Sequence, residues 1–79
     1  MEPLTLYTTA GCHLCEQAVE VIRGALDAPR ALRQVEIADE PELLARYGVR
    51  IPVLAVAGRT EELGWPFDVA AVRAFLSRM

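Results

Sequence analysis

The sequence predicts an α/β domain with a mixed sheet, and three observations carry that prediction. Short β-rich runs alternate with helical patterns in the order β-α-β-α-β-β-α, giving four strands and three flanking helices. The early strand–helix–strand unit requires a parallel pair, because a helical crossover returns the chain to run in the same direction. The closing strand–turn–strand adds an antiparallel edge. With 79 residues there is room for one domain, spanning 1–79, and 53% hydrophobic against 24% charged residues argues for a folded globule.

Each element has a local cause. Leu4, Leu6 and Tyr7 form a short strand that ends at Thr8-Thr9-Ala10-Gly11. Leu14, Ala18, Val21, Ile22, Ala25 and Leu26 then recur at helical spacing, with Glu16, Gln17, Glu20 and Arg23 facing away, until Ala28-Pro29 stops the helix. Val35 and Ile37 alternate with Gln34 and Glu36 in a second strand of residues 31–37. Asp39 and Glu42 stand at capping-box spacing around Pro41, and Gly48 closes that short helix. Val53–Val56, bounded by Pro52 and Ala57-Gly58, reads as a buried central strand, with Arg59–Leu63 returning beside it. Asp68 caps a last helix whose Val69, Val72, Phe75, Leu76 and Met79 share one face.

Several function classes drop out on composition. A net charge of −3 without a basic run gives no electrostatic grip on nucleic acid or anionic lipid. No apolar run reaches the ~18 residues that span a bilayer. If Met1 is the native start, Met1–Leu6 predicts no secretory signal, and a cytoplasmic location is expected. All eight basic residues are arginine.

The two cysteines, Cys12 and Cys15, lie two residues apart. A bond between them closes so small a ring that it stabilises the fold little, which makes the pair a poor staple and points to its chemistry. Placed between the first strand and the first helix, Cys12 would sit where unpaired N–H groups and the helix dipole favour a thiolate. Cys15, one turn inward beside Leu14, Ala18 and Val19, is expected in a more apolar setting and close enough to resolve a mixed disulfide on Cys12. His13, when protonated, would tune the Cys12 thiolate. The competing readings are half of a metal or cluster site and a redox-inert partner-binding domain. Zinc wants four ligands, and the chain offers Cys12, Cys15 and its single histidine, His13.

The run Tyr7-Thr8-Thr9-Ala10-Gly11-Cys12-His13-Leu14-Cys15, the element order and Arg50-Ile51-Pro52-Val53 together resemble a small bacterial glutaredoxin-like protein of the thioredoxin superfamily. Cys12-His13-Leu14-Cys15 and the late Trp65-Pro66-Phe67-Asp68 match a glutaredoxin-like subfamily. The resemblance covers essentially the whole chain and implies a thioredoxin-like fold. It also implies thiol–disulfide exchange through Cys12 and Cys15, and a cis proline at Pro52 facing them. Arg50, Ile51 and Pro52 would then shape the substrate groove. No bound cofactor is implied; glutathione or a thioredoxin-type reductase would supply electrons to a monomer acting on a protein disulfide or a low-molecular-weight thiol. Glutaredoxins proper carry Cys-Pro-Tyr-Cys, an upstream lysine, Thr-Val-Pro and a Gly-Gly-Asp-like turn. Here His13-Leu14, no lysine, Arg50-Ile51 and Trp65-Pro66-Phe67 stand instead, so weak glutathione binding is expected. Trp65, Phe67 and Tyr47 read as packing, and Glu61-Glu62 as a solvated strand end.

Overall fold

A computed structural model describes residues 3–26 and 31–77. Four strands form one sheet in the order β2-β1-β3-β4: β1 (Leu4–Thr8), β2 (Leu32–Glu36), β3 (Val53–Val56) and β4 (Glu62–Gly64). Three helices, α1 (His13–Ala25), α2 (Pro41–Tyr47) and α3 (Val69–Ser77), complete the predicted order. β1 pairs parallel with β2 and antiparallel with β3, and β4 is antiparallel to β3, so the sheet is mixed as expected. This is a thioredoxin-like fold.

Strand alternation sorts the core into two layers. Leu4, Leu6, Leu54 and Val56 point to one face, where Ala18, Ile22 and Ala25 of α1 and Val72 and Phe75 of α3 cover them. The opposite face carries Tyr7 and Val53 against Tyr47 and Leu43 of α2, with Ile37 and Ile51. The first layer is the larger because two helices seal it, whereas seven-residue α2 covers the other face only in part.

Local details depart from the sequence expectations in three places. The buried stripe of α1 is Cys15, Ala18, Ile22 and Ala25, while Leu14, one residue before the stripe begins, stays 46% exposed. The cap of α2 is Glu40, not Asp39, and no side chain bonds there. Pro41 causes this: the residue before a proline is driven into extended backbone, and Glu40 takes φ −127°, ψ 111°. Gly48 ends α2 as expected, in right-handed backbone (φ −51°). It is needed for space, since a Cβ there would lie 2.5 Å from the Leu44 carbonyl oxygen.

The β3–β4 connection is the third departure. Ala55 pairs with Glu62 and Val53 with Gly64, so residues 57–61 form the loop and Arg59 is not part of the returning strand. Gly58 adopts φ 83°, and the Arg59 side chain folds away to donate from Nη1 to the Phe75 carbonyl at 2.8 Å, its guanidinium over the Phe75 ring. Asp68 does cap α3, accepting from Ala71 N–H at 2.7 Å. On that helix Val72 and Phe75 are buried and Leu76 packs partly, while Val69 remains 36% exposed. The predicted Ala28-Pro29 stop and Met79 lie outside the described residues.

Candidate functional site

Register collects the site at one end of the sheet. β1 exits at Thr8 beside Glu36, the last residue of its parallel neighbour. Because β3 runs antiparallel with Val53 opposite Tyr7, Pro52 stands at that same end. β4 leaves there too: Gly64 opposes Val53, and Trp65 N–H donates to the Pro52 carbonyl at 3.1 Å. The chain then crosses from β1 to α1 through Thr9–Cys12. Gly11 supplies the left-handed step (φ 76°) that lets the turn close with Cys12 N–H donating to the Thr9 carbonyl at 3.2 Å.

Cys12 is the N-cap of α1, in extended backbone (φ −82°, ψ 105°), and its Sγ accepts from Cys15 N–H at 3.1 Å. The sulfur thus occupies the place a serine or aspartate oxygen holds at an ordinary helix start, against one of the helix's unpaired N–H groups. Cys12 and Cys15 are joined as a disulfide, their Cα atoms 5.2 Å apart. The two differ in setting. Cys15 is 3% exposed under α1, whereas Cys12 is half-buried at the helix mouth. His13 is exposed, with Nδ1 3.3 Å from Glu16 Oε2 one turn along. Among the described residues no group of three or more potential metal-ligating side chains comes together.

The Ile51–Pro52 bond is cis, as the resemblance implies, and Trp65–Pro66 is a second cis bond that the sequence did not signal. Pro52 is buried, Ile51 half-buried and Arg50 exposed. The segment leading to Pro52 is pinned to the end of α2, where the Tyr47 carbonyl accepts from Arg50 N–H (2.8 Å) and Ile51 N–H (3.1 Å).

With a Cys-x-x-Cys at the mouth of α1 and a cis proline at the adjoining strand, the geometry can be set beside known proteins. Residues 3–77 match the family described as Glutaredoxin-like domain (DUF836). The chain belongs to this glutaredoxin-like family. The X-ray structure of protein XcR50 from X. campestris is similar at 45% identity over 92% of this chain and 93% of that one, with a TM-score of 0.83. The solution structure of Ne2328 from Nitrosomonas europaea is similar at 28% identity over 94% and 89%, with a TM-score of 0.79. No curated protein matches. Membership in this glutaredoxin-like family, with the two sulfurs at bonding distance, points to thiol redox chemistry.

Two parts of the site escaped the sequence reading. Glu62 is not a solvated strand end: its side chain is 15% exposed, pairs with Arg50 Nη2 at 3.5 Å and accepts a hydrogen bond from the Tyr47 hydroxyl. It sits opposite small Ala55, on the face that α2 covers, while Glu61 on the alternate side is 58% exposed and pairs with Arg59. Tyr47 does pack, stacked on Tyr7 with ring centroids 4.2 Å apart, but its hydroxyl also serves this network. Burial first, and then the Glu62 carboxylate beside it, pushes the Tyr47 phenol well above its ordinary range. Trp65 and Phe67 meet edge to face at 5.0 Å and close the core, in keeping with the packing expectation.

The second is Glu36, which β2 delivers to the loop before Cys12. Its Oε1 accepts from Ala10 N–H at 2.7 Å and Oε2 from Ala38 N–H at 3.0 Å. Hydrogen bonds from Ala38 N–H, the Thr9 side chain and Ala10 N–H hold its carboxyl below the ordinary carboxylate value. The signal was the parallel register, which places the end of β2 level with the exit of β1 but cannot be fixed from one sequence.

Proposed function

We propose that the protein is a thiol–disulfide oxidoreductase in which Cys12 attacks and Cys15 resolves. The observation that carries this reading is the Cys12 sulfur capping α1 and accepting from Cys15 N–H, while Cys15 itself lies buried behind it. In the reduced protein the Cys12 thiolate attacks one sulfur of a substrate disulfide and expels the other as a thiolate, which takes up a proton. The Cys15 thiolate then attacks Cys12 Sγ, breaks the mixed disulfide and releases the second substrate thiol. The substrate gains two electrons, and the protein is left with the Cys12–Cys15 disulfide. A glutathione pool or a thioredoxin-type reductase returns it to the dithiol.

Pro52, Ile51 and Arg50 form the groove beside Cys12 in this reading, and its occupant is a protein disulfide or a small thiol. Two observations support weak use of glutathione, whose two carboxylates need free cations or free helix N–H groups. Arg50 is engaged by Glu62 at 3.5 Å, and the α3 N-terminus has its own cap, Asp68, on Ala71 N–H. The protein is proposed to act as a monomer in the cytoplasm, where thiol reductants recycle such a pair. Among the described residues no helix is long and apolar enough to cross a membrane.

Reduction of insulin disulfides with dithiothreitol as electron source tests this. Wild-type protein should accelerate the reaction and Cys12→Ser should abolish the acceleration. Equal rates for the two would reject the assignment, as would stoichiometric metal in the purified protein that blocks both thiols.

A further inference from the structure

We propose that Glu36 is a positioning residue of the redox site: its carboxylate clamps the loop that presents Cys12 at the helix mouth. This inference rests on the reading of Cys12 as the attacking thiol.

Thr9–Gly11 lie beyond the last ladder pair of β1 and before Cys12, the N-cap of α1, so neither element's own backbone pairing holds Ala10 and Gly11. Ala10 and Gly11 are exposed, and Gly11 is the residue type with the most conformational freedom to lose. Yet the Cys15 N–H to Cys12 Sγ contact requires this loop to arrive at one angle. Glu36, 26 residues from Ala10 in sequence, supplies the missing constraint. One carboxylate oxygen takes Ala10 N–H and the other takes Ala38 N–H, which ties the β1–α1 connection to the β2–α2 connection. The Thr9 side chain bonds the same carboxylate, and the Thr9 carbonyl accepts from Cys12 N–H. The linkage therefore runs from Glu36 through Thr9 and Ala10 to Cys12.

Electrostatics alone gives no reason for an acid here. A carboxylate near a forming thiolate opposes it, and removing that charge would favour ionisation of Cys12. Of the other charged groups at this end of the sheet, His13 faces Glu16, Arg50 pairs with Glu62 and Asp68 accepts from Ala71 N–H, while Asp39 and Glu40 follow Ala38 in the β2–α2 connection and add further negative charge. Positioning and charge thus make opposite predictions for the loss of Glu36.

The experiment is the pH dependence of iodoacetamide alkylation of Cys12 in a Cys15→Ser background, with Glu36, Glu36→Ala or Glu36→Gln. Clamping predicts that Glu36→Ala moves the midpoint upward by about half a unit or more, toward the free-thiol value of ~8.5, and slows alkylation at neutral pH about threefold. Glu36→Gln, which keeps one acceptor oxygen, should shift it in the same direction by less; it carries the test if Glu36→Ala does not fold. Exchange of the Ala10 amide hydrogen should quicken in both variants. A downward midpoint shift would show a charge effect and overturn the clamp, and an unmoved midpoint in folded variants would do the same. If Cys12 already titrates as an ordinary thiol with Glu36 in place, the attacking-thiol reading fails, and the clamp with it.

Discussion

Replacing Tyr47 with phenylalanine should destabilise the protein through one hydrogen bond and nothing else. The ring is 2% exposed and stacked on Tyr7, so phenylalanine keeps the packing and deletes only the hydroxyl that donates to Glu62. A hydrogen bond to a charged group contributes about 1.5–3 kcal/mol. Glu62 keeps Arg50 as a partner at 3.5 Å, which places Tyr47→Phe near the lower end. Glu62→Ala should cost more, about 2–3 kcal/mol, because it strands a buried phenol hydroxyl without an acceptor. In the double variant nothing is stranded, so it should be no less stable than Glu62→Ala alone, a coupling of about 1.5 kcal/mol or more. Urea unfolding of the four proteins, followed by Trp65 fluorescence with the disulfide intact, measures this cycle. For a domain of this size each kcal/mol is worth roughly 4–8 °C in Tm, so thermal melts provide a second readout. Additive single costs, or a neutral Tyr47→Phe, would refute the buried network.

Further outcomes follow from the same geometry. Because burial raises the Tyr47 phenol, its contribution is complete below its ordinary value of 10 and is lost as pH rises toward the higher folded value. The stability gap between wild type and Tyr47→Phe should therefore narrow above pH ~10, and a constant gap in alkaline urea titrations would contradict this. Leu54→Ala removes a fully buried side chain of the two-helix layer and should cost about 2–5 kcal/mol by urea unfolding; less than about 1 kcal/mol would mean that the site is not packed as described. Gly48→Ala should destabilise by more than a helix propensity scale allows, since that scale favours alanine and only the close Leu44 carbonyl opposes it; a stabilised variant in the same assay would remove that contact.

Much of the fold was legible because single residues decide it. Leu4 and Leu6 against Tyr7 already show which face of β1 meets which layer, and Val53–Val56 reads as buried without knowledge of its neighbours. The cysteine pair was legible for the same reason: spacing and position before a helix are local properties. What depended on register was hidden. Glu36 touches Ala10 only because β2 lies level with β1, and Glu62 meets Tyr47 only because the β3–β4 loop takes five residues instead of two. Asp39 was misread as a cap because the spacing to Glu42 is right, whereas the steric demand of Pro41 on Glu40 outweighs it. Leu14 misled for a different reason: Leu14 and Cys15 both fit the apolar stripe, at four and three residues before Ala18, and only Cys15 is buried.

The central claim, that Cys12 attacks and Cys15 resolves, is tested most directly by trapping. Reduced Cys15→Ser and Cys12→Ser proteins are each mixed with a disulfide-bonded peptide, quenched with acid and weighed intact by mass spectrometry. The account predicts a persistent peptide adduct on Cys12 in the Cys15→Ser protein and little or none in Cys12→Ser, where Cys15 is 3% exposed. A stable adduct on Cys15, with none on Cys12, would reverse the roles and contradict the account.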